Sequence, residues 1–155
     1  MSKILIIAEH DGGQLNPSTA KCVSCATAIG GDIDIVVIGQ DIGGVADEAA
    51  AIAGVNSVIA IDAEHLAAPL AVNHAKEVVA VAEGYSHLIG PSTTYGKDLM
   101  PRVAAGLGVN QVSDIMAVDG PYRVKRPVYA GNAIVDVAAP ENVTFVGTAR
   151  VASWD

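Results

Sequence analysis

Four short apolar runs, Ile4–Ala8, Ile35–Ile38, Val58–Ile61 and His87–Gly90, are each followed by a longer stretch with helical spacing. This alternation leaves little choice of fold. A strand buried on both faces reads as a continuous apolar run, and successive parallel strands need a returning helix between them. Ser18–Ile29 is entered by Pro17 and closed by Gly30-Gly31, the chemistry expected at a helix start and stop. Val45–Ala53 ends at Gly54, Ala68–Glu83 ends at Gly84, and a fourth stretch runs from Thr94 or Tyr95 to Leu107, before Gly108. Pro101 inside the fourth removes a backbone donor and predicts a kink, or regularity confined to the later turns. Beyond Gly108 the pattern changes to strand-like segments, Ile115–Val118, Tyr122–Val128, Ala133–Val137 and Val143–Val146. Gly120-Pro121, Gly131-Asn132 and Pro140-Glu141-Asn142 separate them. The order is βαβαβαβα with a β-rich tail, and right-handed crossovers then lay the helices on a parallel sheet. Residues 1–155 are expected to form one domain, since a chain of this length builds one full-sized core.

Composition supports that core and excludes some functions. Hydrophobic residues make up 51% of the chain but aromatic ones only 4%, so Ala, Val, Ile and Leu must fill the space between helices and sheet. The net charge is −8 without a basic patch, which argues against nucleic-acid binding. No apolar run approaches the roughly 20 residues of a membrane span. Met1-Ser2-Lys3 leads directly into the Ile4–Ile7 strand, unlike a signal peptide, and a cytoplasmic location is expected.

Candidate chemistry is sparse. Cys22 and Cys25 have Cys-x-x-Cys spacing, yet the helix starts more than a turn earlier. With Ala26 and Ile29 they form an i, i+3, i+4, i+7 stripe, so they are expected in the core rather than at a redox site. His10, His65, His74 and His87 are scattered. In a doubly wound sheet, ligands gather beyond the carboxyl ends of the strands, here at Glu9–Gly13 and Pro91–Gly96. Ser92, Thr93 and Thr94 could leave helix amides for an anion or simply cap them. Gly90 to Lys97 fails the phosphate-loop pattern by one residue, with Asp98 where the hydroxyl should stand, and no Gly-x-Gly-x-x-Gly follows the first strand. Glu9 and Asp11 oppose a phosphate there. The carboxylate pairs Asp32/Asp34 and Asp47/Glu48 are expected in solvated turns, and no Gly-x-Ser-x-Gly or other catalytic grouping is present.

Six segments in order carry a family resemblance: Ile6–Asp11, Ala51–Val55, Thr93–Asp98, Pro101–Ala104, Val112–Ile115 and Arg126-Pro127-Val128-Tyr129-Ala130-Gly131-Asn132-Ala133. Together they resemble the N-terminal domain of the electron transfer flavoprotein alpha subunit. The resemblance implies a three-layer α/β/α fold with a mostly parallel sheet, of adenine nucleotide alpha hydrolase-like topology, and a β-rich C-terminal extension. It further implies a heterodimer that carries electrons through FAD. The FAD is held mainly by a second α domain expected after Asp155, while the beta subunit carries AMP. The chain is thus expected to hold no cofactor and no catalytic site of its own. Its implied partners are the beta subunit and the flavin domain, with a homodimer when it is isolated. Gly131 and Asn132 are expected to turn the chain in left-handed conformation, flanked by Arg126 and Tyr129 as partner anchors. A free-standing adenine-nucleotide-binding domain, similar to universal stress proteins, is the alternative, though their glycine-rich signature after the fourth strand is not matched.

Overall fold

The computed structural model describes residues 2–155. Its four strand–helix units follow the predicted order: β1 (Lys3–Ile7), α1 (Ser18–Ile29), β2 (Asp32–Gly39), α2 (Gly43–Ala50), β3 (Ser57–Asp62), α3 (Ala71–Val81), β4 (His87–Pro91) and α4 (Thr94–Leu107). The remaining strands are β5 (Gln111–Ile115), β6 (Ala117–Gly120), β7 (Arg123–Val128), β8 (Ala133–Ala138) and β9 (Phe145–Ala149). Six of them form a parallel sheet in the order β3-β2-β1-β4-β9-β5, and β6-β7-β8 form a separate antiparallel sheet. The fold is α/β in three layers, with the small sheet added to one side.

The alternation of side chains along each strand divides the core in two. Ile4 and Ile6 face Cys22, Cys25, Ala26 and Ile29 of α1, and Val124 of β7 and Phe145 of β9 join the same cluster. Leu5 and Ile7 face the other way, onto Val78 of α3 and Leu99, Met100 and Val103 of α4. The antiparallel sheet and the α3–α4 pair therefore cover opposite faces of the central sheet.

Several boundaries differ from the sequence expectation. The strand expected at Val143–Val146 is Phe145–Ala149, and it is no part of the tail: it lies fully buried between β4 and β5. Gly147 lets it fit, because a Cβ there would stand 2.7 Å from Ile115 Cδ1. The expected strand at Ile115–Val118 is split at Met116, where the chain leaves one sheet for the other. α2 stops at Ala50 rather than Ala53, and α3 starts at Ala71 rather than Ala68. Pro69 disfavours helical backbone at Ala68, and Glu64–Leu66 forms a 3-10 turn instead. α4 runs unbroken through Pro101. The fully buried Met100 and Val103 on either side anchor it by packing, which outweighs one lost backbone bond.

Asp34 is also not a solvated turn residue. It sits in β2 and is nearly inaccessible. Its carboxylate accepts from Ser57 Oγ (2.6 Å), Tyr85 Oη (2.7 Å) and Asn56 Nδ2 (3.3 Å), with Lys3 Nζ at 4.0 Å. Burial pushes its pKa up, but the bonds from Ser57, Tyr85 and Asn56 and the charge of Lys3 outweigh this and hold it below the usual value.

Candidate partner interface at the hairpin tip

β7 and β8 pair antiparallel from Arg123↔Ala138 to Val128↔Ala133, leaving Tyr129 to Asn132 as the tip. The chain turns there through three consecutive left-handed residues, Tyr129 (φ 50°), Ala130 (φ 54°) and Gly131 (φ 89°). Asn132, expected to share this conformation, is right-handed at φ −70°. The expectation failed because it assigned the strained positions by residue tolerance, whereas two of them fall on residues with a Cβ. Left-handed backbone costs an L-residue about 1–2 kcal/mol.

The tip is presented rather than packed. Tyr129 is 81% exposed, and Ile134 beyond it is 58% exposed. Among the described residues β8 pairs only with β7, so its outer edge offers open backbone groups. A cleft of 440 Å³, similar in size to others on the surface, lies beneath the tip. It is bounded by Asp114, Pro127, Val128, Tyr129–Gly131 and Arg150. Three of the four non-glycine residues with positive φ, namely Asp114, Tyr129 and Ala130, line this one cleft. Such strain persists where surrounding structure enforces it, and functional surfaces are common places for it.

Of the four sequence candidates, Tyr129, Gly131 and Asn132 lie together on the exposed tip. Arg126 does not project with them. Its Nε and Nη2 donate to the Ser113 carbonyl (3.0 Å) and hydroxyl (3.1 Å), which pins the hairpin to β5. Lys125 adds a second brace by bridging Asp136 on β8 (2.6 Å) and Asp119 on β6 (2.9 Å). Hydrogen bonds from it to Asp136 and Asp119 raise its pKa. Sequence reasoning missed this fork, because the three charges meet only once the strand register is known.

The loops at the strand-end crevice between β1 and β4 are held largely by local hydrogen bonds. His10 Nε2 donates to the Ile38 carbonyl (2.7 Å), and its Nδ1 accepts from Gly12 N (2.9 Å). Asp11 Oδ1 accepts from Gly13 and Gln14, and these backbone bonds lower its pKa. Thr93 Oγ1 accepts from Gly96 N (3.2 Å), so the hydroxyl-rich loop caps α4. Gly96 is required there, as a Cβ would fall 1.7 Å from the Pro91 carbonyl oxygen. His74 bonds the Leu66 carbonyl and the Tyr95 hydroxyl, and burial lowers its pKa. Burial likewise lowers that of His87, which lies between Ser86 Oγ and the Pro121 carbonyl. Cys22 and Cys25 are buried in the α1 stripe, as the spacing predicts. Burial raises both thiols, Cys25 to about 12. Among the described residues, no group of three His, Cys, Asp or Glu could hold a metal, and no helix is long and apolar enough to cross a membrane. Asp11 and Thr93 engage three of the loop amides, those of Gly13, Gln14 and Gly96, and Glu9 adds a carboxylate, which disfavours a phosphate at this crevice.

The geometry defines a doubly wound α/β domain with an added antiparallel sheet and a strained, exposed hairpin. The chain belongs to the electron transfer flavoprotein domain family, whose model matches residues 4–155. It is 43% identical over 152 residues to the electron transfer flavoprotein subunit alpha of Pseudomonas aeruginosa, covering 98% of this chain and 49% of that protein. The Paracoccus denitrificans subunit alpha is 39% identical over 153 residues, with 98% of this chain and 49% of the relative covered. The mitochondrial subunit alpha of Dictyostelium discoideum is 36% identical over 162 residues, covering 99% and 45%. The chain thus spans about half the length of the curated relatives it matches.

Proposed function

We propose that residues 1–155 form a single N-terminal-type domain of an electron transfer flavoprotein alpha subunit, and that its work is to hold partners rather than a cofactor. The complete heterodimer would carry electrons by FAD from dehydrogenases to an acceptor. The FAD belongs to a part of the alpha subunit outside these residues and the AMP to the beta subunit. In this reading the domain has no catalytic site of its own, and it works in the cytoplasm. Tyr129, Gly131 and Asn132 form the contact surface for the beta subunit and the flavin domain, with Arg126 holding the hairpin in position. The observation that carries the reading is the exposed left-handed tip at Tyr129–Gly131, in a chain related along nearly its whole length to alpha subunits. Without partners, the open β8 edge favours a weak homodimer. The free-standing nucleotide-binding alternative has less support, since Asp11 and Thr93 engage the Gly13, Gln14 and Gly96 amides at the crevice and no glycine-rich signature follows β4.

The test is reconstitution. The isolated chain should purify without flavin absorbance and should co-elute with added beta subunit on gel filtration. A chain that retains FAD, or that never associates with the beta subunit, contradicts the proposal.

A further inference from the structure

On the face of the sheet away from the hairpin, α3 and α4 pack so closely that a Cβ on Gly106 would stand 2.9 Å from Val79 Cγ2. Along this seam runs a shallow groove of 350 Å³ lined by Val72, Ala75, Lys76, Val79, Arg102 and Gly106. Its floor is apolar, and the aliphatic surface continues outward. Val72 is 50% exposed and Leu70, just before the helix, is 54% exposed.

The charge of the groove is opposite to that of the molecule. The chain has 17 acidic residues against 9 Lys and Arg, for a net charge of −8, yet this groove is lined by two cations and no carboxylate. Lys76 has no ion pair among the described residues, and Arg102 has only the weak, exposed Asp98 contact at 3.9 Å. An apolar floor between two cations fits an amphipathic helix whose aliphatic stripe is flanked by carboxylates, the helix-in-groove mode of recognition. A free inorganic anion would gain nothing from the valines. Nucleic acid would need a longer run of cations.

We propose that the α3–α4 groove is a second docking surface, and that its occupant is an acidic amphipathic helix of a partner protein. The groove lies opposite the antiparallel sheet, so it stays open while the hairpin tip is engaged. The inference does not depend on the role of that tip.

The test is an NMR titration of the full isotope-labelled chain with a synthetic helical peptide. The probe carries leucines at i, i+3, i+4 and i+7, with glutamates on both sides of the stripe; a matched peptide carries lysines instead. The glutamate peptide should shift the amides of Val72, Ala75, Lys76, Val79 and Gly106 saturably, and less strongly at high salt. The double substitution Lys76→Glu and Arg102→Glu reverses two exposed rim charges and should weaken binding about tenfold. Val72→Asp, also on the surface, should weaken it with the fold intact by circular dichroism. Equal binding of the lysine peptide, shifts centred elsewhere, or no saturable shift would overturn the proposal. So would concentration-dependent self-association abolished by the same charge reversals, which would assign the groove to a second copy of the chain.

Discussion

Replacing Ala130 by glycine should stabilise the protein, although it removes a methyl group. Ala130 sits at φ 54° and ψ 33° and is exposed, so no packing is lost. The left-handed conformation costs an L-residue about 1–2 kcal/mol, and glycine escapes this. Glycine in turn gives the unfolded chain extra freedom worth roughly 0.5–1 kcal/mol. The difference is a net gain of about 0.5–1 kcal/mol, and for a chain of this length that raises Tm by roughly 1–4 °C. Gly131→Ala is the opposite perturbation, at φ 89° with open space around its Cα. It should destabilise by about 1 kcal/mol through backbone strain alone. Urea and thermal denaturation of both variants provide the assay. If Ala130→Gly destabilises while Gly131→Ala is harmless, the tip is not held left-handed and the argument from strain fails. A freer tip also has more entropy to lose on docking, so Ala130→Gly should bind the beta subunit somewhat more weakly than wild type despite its greater stability.

Four further outcomes follow from the buried groups. Asp34→Ala leaves Ser57, Tyr85 and Asn56 without their acceptor and should cost about 3–5 kcal/mol in urea unfolding. Because the folded pKa of Asp34 is lowered, its contribution is present above the unfolded value of about 3.9 and disappears as pH falls through the folded value; the acid limb of the Asp34→Ala variant should be flatter. His74 and His87 have lowered folded pKa values, so the unfolded chain takes up their protons first. Stability should decline as pH falls below about 6.5, with a shallower slope in His87→Gln, measured by Tm against pH. Gly96→Ala forces a Cβ against the Pro91 carbonyl and should cost more than about 4 kcal/mol or prevent folding, checked by circular dichroism. Thiol reagents should label Cys22 and Cys25 slowly in the native protein and rapidly in denaturant.

The sequence was most legible where residue type alone controls structure. The β1, β2 and β4 runs are apolar because both sheet faces are covered there, and glycines or prolines mark the helix ends, so the four units could be placed within a few residues. The burial of Cys22 and Cys25 followed from helical spacing for the same reason. What escaped was set by distant pairing. β9 is five residues containing Gly147 and Thr148, and nothing local distinguishes it from a tail strand; its place between β4 and β5 depends on the gap that those strands leave. Asp34 looked like a turn residue because its three donors come from positions 56, 57 and 85. Arg126 was named as an anchor from its residue type alone; its hydrogen bonds to Ser113 could not be read there, because they depend on how β7 packs beside β5. At the tip, residue preferences pointed to Gly131-Asn132; Gly131 is left-handed, but the turn begins two residues earlier, at Tyr129 and Ala130, and Asn132 is right-handed.

The most direct test of the account is calorimetric titration of the beta subunit into the wild-type chain and into Tyr129→Asp. Tyr129 is exposed, and changing it should leave Tm within a degree or two of wild type. Wild type should form a one-to-one complex, and the variant should lose affinity by about tenfold or more, as expected for an aromatic interface anchor. A variant that folds normally and binds the beta subunit as tightly as wild type would contradict the claim that the hairpin tip is the docking surface.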